Sequence, residues 1–311
     1  LLVVIAIIGV LIGMTIPALQ GLREMSRRAA CSENLTGLSL ALSAYHSQYG
    51  HYPAGTVAAD GPIRSAPQGF HHNWISGLMP MLDAPNVAAA IDRAAGVYDP
   101  ANQAVRELQI PFLQCPSAVL ELPYQATYAG NQHPDEAPID EGNLGVFFLN
   151  ETISNDDIRD GLSYTLFVSE QVQSFGKPRS WMSGTRATLR NAGHAINAHR
   201  QTPVNGWGPT FQDPLLVGGF SSQHPQGVQV LEGSGGVRFL SESIDQKILH
   251  QMAHRADGQL PLEWQGTDTK AERLPAEAGD TGAADAGEEA APGANAPPPD
   301  GDDAATNKEA A

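Results

Sequence analysis

Chemistry in this chain would have to start from its histidines, its carboxylates or its two cysteines, and their spacing limits what each can do. His250 and His254 stand i, i+4 in a segment with helical patterning, the separation of a zinc-ligating pair. Gln251, however, occupies the place where the metalloprotease pattern carries its glutamate, so an exposed helical face is the expectation. His194, His199 and His224 would form a three-imidazole metal set only if distant loops converged, since their spacing is not diagnostic. His71-His72 reads as a loop dipeptide. Glu170 and Glu232 are the carboxylates to pair for acid–base work, but both sit at strand ends, where solvated side chains are expected. There is no Gly-x-Ser-x-Gly elbow, no phosphate-binding glycine loop and no Cys-His dyad that spacing recommends. The expectation is a protein that is not an enzyme and holds no cofactor and no metal.

The elements that would carry these residues begin with an uncharged apolar run, Leu1 to Leu22. About 20 apolar residues at 1.5 Å rise cover a hydrocarbon core of roughly 30 Å, so residues 1–22 are expected to span a membrane as one helix. A secretory signal peptide is the competing reading, but its apolar core is shorter and ends at a small-residue cleavage site, which is unconvincing here. Gly9 and Gly13, four apart, would let a second helix approach closely, and Pro17 is tolerated better in lipid than in water. Leu35, Leu38, Leu42, Tyr45 and Tyr49 then recur at helical spacing, so residues 23–48 continue the helix amphipathically until Gly50 and Pro53 end it.

Residues 49–265 form the expected head. Hydrophobic residues at 41% supply one core, while 32 glycines and 23 prolines with only 17% charged residues favour loops and short strands. An apolar strand is predicted to end at Cys115-Pro116, a short helix over Val87–Ala95, and within Ile158–Glu170 a strand after the Asp160-Gly161 turn in hairpin fashion. Val228 and Val230 alternate before a Gly-rich bend, Val237 and Phe239 after it, which predicts a hairpin. Ser243–Ala253 reads as a closing helix. Residues 266–311, rich in Ala, Pro, Gly and acidic side chains, are expected to be a disordered tail. The net charge of −16, with no basic cluster, excludes nucleic acid as a partner.

Taken in order, these marks resemble a known family. Pro17-Ala18, Gln20, Arg23-Glu24, two arginines and Cys31-Ser32-Glu33-Asn34-Leu35 look like the start of a type IV pilin-like protein, more narrowly of the bacterial DUF1559 family. His46 with Tyr49-Gly50 and Tyr52-Pro53-Ala54-Gly55, the Asn73-Trp74 segment, Phe112–Ser117 and Phe220–Val228 extend the match. In the family signature a His, here His224, is followed after nine residues by Asp-Gly; this chain has Ser234-Gly235. Ser-Gly-Gly can still turn the chain but cannot replace a carboxylate, so the signature residues His224, Ser234 and Gly235, like Asp160 and Gly161, are expected to be structural.

The resemblance implies a prepilin-type cleavage and methylation segment, with a phenylalanine, a short apolar stretch and a glutamate upstream of Leu1. It also implies an α+β, pilin-like fold: a long N-terminal helix, membrane-embedded in its first half, packed on a loop-rich antiparallel sheet. The N-terminal side would face the cytoplasm and the head would lie outside the inner membrane, against the count of Arg23, Arg27 and Arg28. In that setting Cys31 and Cys115 are a candidate disulfide, with two buried free thiols as the alternative. Two isolated cysteines do not suggest a metal site. Expected partners are membrane lipid and further pilin-like subunits, including copies of itself, met through Leu1–Leu22 in a type II secretion or type IV pilus-like assembly. Two other functions stay open: a tethered solute- or polymer-binding protein with an aromatic pocket around Trp74, Trp181 and Trp207, and an envelope metal enzyme using His194, His199 or His224.

Overall fold

The computed structural model describes residues 2–173, 179–198 and 213–260, with the side chains of most residues between 1 and 18 left out. His199, Trp207 and the 266–311 tail lie outside the described residues.

One helix, α1 (Leu2–Tyr49), runs without a break through Pro17. Its second half buries Cys31, Leu35, Leu38 and Leu42, a 4-3-4 spacing that keeps one stripe against the body. Tyr49, expected on that stripe, is instead 48% exposed. Gly50 closes the helix at φ 77° and donates its N–H to His46 O at 2.8 Å, a cap that glycine adopts without a Cβ penalty. Among the described residues no helix is long and apolar enough to cross a membrane.

A small ribbon follows, β1 (Thr56–Val57) against β2 (His72–Asn73). Asn73 and Ser76 then cap α2 (Trp74–Leu78) reciprocally. The short helices α3 (Pro85–Ala90) and α4 (Gln103–Arg106) come next; α3 stops five residues before the predicted end at Ala95. The strand expected before Cys115 is absent: residues 111–113 make a 3-10 turn. Pro111 at its first position explains this, because a fixed φ and a missing N–H suit a helical start better than a ladder.

The main sheet has the order β5-β3-β4-β6-β7: β3 (Tyr128–His133), β4 (Leu166–Glu170), β5 (Leu189–Asn191), β6 (Gly227–Glu232) and β7 (Val237–Ser241). All pairings are antiparallel except β3 with β5, so the sheet is mixed. Asp160-Gly161 does turn the chain, with Gly161 at φ 92°, but a 3-10 turn precedes it and β4 pairs with the distant β3 and β6. The β6–β7 pair is the hairpin expected there.

The two faces of the sheet differ. Val228 and Val230 join Leu240 and the closing helix α5 (Gln246–Ala253), whose N-terminus Asp245 caps, in an apolar cluster. Leu231, Phe167 and Val168 belong to the larger core with α1, Trp74 and Phe147. A register shift between Leu166 and Val168 lets the neighbours Phe167 and Val168 both join that core.

Candidate functional site

On the α1 side of the sheet, four elements bring ionisable and sulfur side chains to one buried point. α1 supplies Glu24 and, seven residues on, Cys31. The 3-10 turn at 111–113 delivers Cys115, and Cys31 and Cys115 form a disulfide with 5.2 Å between their Cα atoms. Glu170 ends β4, and its Oε2 accepts the Gln229 N–H at 2.8 Å. His224 precedes β6; Ser222 Oγ accepts its backbone N–H at 3.0 Å while donating to Gly227 O at 2.6 Å, which fixes the approach to the strand.

The His224 ring is fully buried between two carboxylates. Its Nδ1 lies 2.5 Å from Glu24 Oε1, and its Nε2 lies 3.1 Å from Glu170 Oε1. The same Nε2 is 3.2 Å from Cys115 Sγ and 3.3 Å from Cys31 Sγ. A carboxylate accepts and cannot donate, so Nδ1–H donates to Glu24, while Glu170 Oε1 meets the ring as the other half of an ion pair and has no aligned donor of its own. Burial on its own would lower the His224 pKa, but the nearby carboxylate of Glu170, then that of Glu24, outweigh it and hold the pKa above 6.5. Burial would raise the Glu24 carboxyl, and bonds from His224 and Arg27 reverse that, leaving it below 4.5. Arg27 Nη2 sits 2.5 Å from Glu24 Oε2, and Arg28 Nε 3.7 Å from Oε1. Arg28 also stacks over Phe239 at 4.2 Å. Buried ionised groups persist only when paired in this way.

The expectation that Glu170 is solvated is therefore wrong: it is 1% exposed, because a strand end covered by a helix is not at the surface. Nor does it pair with Glu232. That residue is opposite Leu166, at the other end of β4, and its Oε1 forms an ion pair with Arg238 Nε at 2.7 Å. Neither Glu24 nor Glu170 stood out as a partner of His224 in the sequence. Glu24 is 200 residues away from it, and no local pattern carries such a pairing.

The other singled-out residues have separate duties. Ser234 donates its N–H to Leu162 O at 3.0 Å, and Gly235 turns at φ 92° with Ser39 Oγ 2.8 Å from where a Cβ would stand. Asp160 accepts the N–H groups of Asp257 and Gly258, both at 2.7 Å, and so pins the segment after α5. His194 is held by Glu136 at 2.9 Å, away from His224's partners. His250 meets Gln246 and Asp135, whereas His254 Nδ1 accepts the Ala256 N–H, so the two imidazoles do not share a site. Trp74 and Trp181 are core residues, their indole N–H groups donated to Thr188 O and Leu108 O, while Trp207 lies outside the described residues. Gly9 and Gly13 are exposed, with nothing within 4 Å of a Cβ at either.

A cleft of about 440 Å³ lies between α1 and the β6–β7 turn. Ser39, Ser43 and His46 of α1 face Glu232 and Gly235 across it, and Phe167 is among the apolar residues of its wall. Burial raises the Glu232 pKa, against the pull of Arg238.

Compared with known proteins, residues 20–247 match the family described as "Protein of unknown function (DUF1559)". No curated protein and no solved structure matches the chain. With most of its length, including α1's stapled half, the His224 site and the β6–β7 hairpin, inside the matched range, the chain belongs to the DUF1559 family.

Proposed function

We propose that this protein is a membrane-anchored, pseudopilin-like component of the bacterial envelope, an assembly part and not an enzyme, with its head outside the inner membrane. The observation that carries this reading is the unequal burial of a single helix. Val4, Ile12, Ile16, Leu19, Leu22 and Met25 are 49–68% exposed, in a stretch whose sequence has no charge before Arg23. Water does not tolerate such a stripe at length, so lipid or sister helices would have to cover it. In the bilayer the apolar half would span; in a filament it would pack on copies of itself, with Gly9 and Gly13 allowing close approach. The resemblance of the N-terminal residues to prepilins supports the same reading. The His224 site fits a structural role here, since a ring with no exposure offers a substrate no access.

The test is the mature N-terminus of the full-length protein isolated from membranes. A methylated phenylalanine shortly before Leu1, with the apolar run retained, is expected. A product released into solution with that run removed would sink the proposal.

A second reading rests on the 440 Å³ cleft, which has the size of a small-molecule site and mixes hydroxyl, imidazole and carboxylate groups with an apolar wall. The head would then capture a solute while α1 only tethers it. A monomeric state in detergent, together with a thermal shift from a small polar metabolite that Glu232→Gln abolishes, would favour this over assembly.

A further inference from the structure

The point where Cys31, Cys115, His224 and Glu170 meet has the composition of a metal site held in another oxidation state. One donor atom from each residue lies within 4.8 Å of all the others, and all four residues are buried. In tetrahedral zinc sites, with Zn–N and Zn–O of about 2.0–2.1 Å and Zn–S of about 2.3 Å, neighbouring donors are about 3.3–3.8 Å apart. Nε2 stands 3.1 Å from Glu170 Oε1 and 3.2 and 3.3 Å from the two sulfurs, short of that spacing by a few tenths of an ångström. The sulfurs must separate once their bond is gone. The outer partner is also in place: Nδ1 is bonded to Glu24, the carboxylate–histidine arrangement that orients a ligating imidazole through its far nitrogen.

We infer that the reduced chain binds one zinc-class divalent cation through Cys31 Sγ, Cys115 Sγ, His224 Nε2 and a Glu170 carboxylate oxygen, so that a metal replaces the disulfide as the staple between α1 and the sheet. A dithiol reductant breaks the Sγ–Sγ bond by giving up two electrons and two protons, and leaves as its own disulfide. The cation then displaces the two thiol protons and the Nε2 proton to solvent, while the Nδ1 proton stays between the ring and Glu24. Two thiolates and one carboxylate leave the filled site with one net negative charge, and Glu24 keeps Arg27 and Arg28 beside it. Thiolate with imidazole selects zinc or cobalt over magnesium or calcium. The inference does not depend on the assembly reading, since it concerns the body and leaves Leu1–Leu22 aside.

The test uses the full chain in detergent, reduced anaerobically with a phosphine and freed of metal, against the oxidised chain. Cobalt is the spectroscopic probe and zinc the stoichiometric one. The reduced chain is expected to take up about one zinc, and with cobalt to develop thiolate charge-transfer bands and the intense ligand-field bands of a tetrahedral ion. The oxidised chain should do neither. Reduced Cys115→Ser should lose the charge-transfer intensity in part, and His224→Gln should abolish tetrahedral binding. Glu24→Gln should keep the spectrum but weaken affinity by about 10- to 100-fold, as expected of an outer partner. Circular dichroism before and after metal covers a reduced chain that unfolds: zinc should then restore the fold. A reduced chain that takes up no stoichiometric zinc, whether folded or left unfolded by it, overturns the inference. So does cobalt bound without thiolate bands.

Discussion

The two halves of α1 are alike in secondary structure and opposite in surroundings. Between Cys31 and Leu42 every apolar side chain of the inner stripe is sealed against the sheet, and the helix is stapled there covalently. Between Val4 and Met25 the described apolar side chains meet little of the protein's own body. Helix propensity does not distinguish them; the availability of a partner surface does. A helix face belongs to the fold only where the same chain supplies what covers it.

Mutation can press on that contrast, beginning with the staple. Replacing both cysteines, Cys31→Ser with Cys115→Ser, opens a loop of 84 residues and should cost about 4.5 kcal/mol on the loop-entropy relation, read by denaturant unfolding in metal-free buffer through tryptophan fluorescence. A loss below about 1 kcal/mol would mean that packing alone holds the helix down. His224→Gln leaves Glu24 and Glu170 without their cation and should cost about 4 kcal/mol where the pair is fully formed.

That second loss has a defined pH window. The groups facing His224 are Glu24 on α1, with Arg27 and Arg28 beside it, and Glu170 on β4; the disulfide does not titrate. Because the folded protein holds the His224 proton more tightly than the unfolded chain, its contribution is complete below 6.5 and fades as pH rises through the raised folded value. Glu24 is shifted the other way, so its contribution is complete above 4.5 and fades as pH falls through the lowered folded value. The gap between wild type and His224→Gln should thus be widest between about pH 4.5 and 6.5. A gap that keeps growing above pH 8 would refute the charged pairing.

Smaller effects sharpen the comparison further. Leu38→Ala, on the sealed stripe, should cost about 3 kcal/mol by the same unfolding assay. Gly235→Ala forces a Cβ into a left-handed turn beside Ser39 and should cost about 1 kcal/mol. Ile12→Ala on the open stripe should change unfolding of the head by less than about 0.5 kcal/mol, while lowering retention in liposomes or self-association. If Ile12→Ala destabilised the head as much as Leu38→Ala, the distinction between the two halves would fail.

Features whose determinants lie close together were legible in the sequence. The long apolar period of α1, its Gly50 stop, and the β6–β7 hairpin with Val228 and Val230 across a Gly-rich bend from Val237 and Phe239 all carry local signals. The turn at 111–113 was not legible, because a short apolar run reads equally as strand, and only Pro111 argued otherwise. The parallel partnership of β5 with β3 has no local mark either. The candidate site was half readable: His224 and the two cysteines could be singled out by type, but not their convergence. Glu24 and Glu170 looked like ordinary surface carboxylates, and what makes them otherwise is the docking of a helix onto a sheet face encoded far away along the chain.

The position of the disulfide has a mechanical corollary. Among the described residues, Cys31 is the first fully buried one of α1 on the way in from its open end. Tension applied to that end therefore travels through a covalent bond into the 3-10 turn before it reaches Leu35 or Leu38, and the side-chain packing behind is shielded from being peeled open. Cutting that one bond would turn a helix loaded at a rivet into one that unzips residue by residue, at a much lower pulling force.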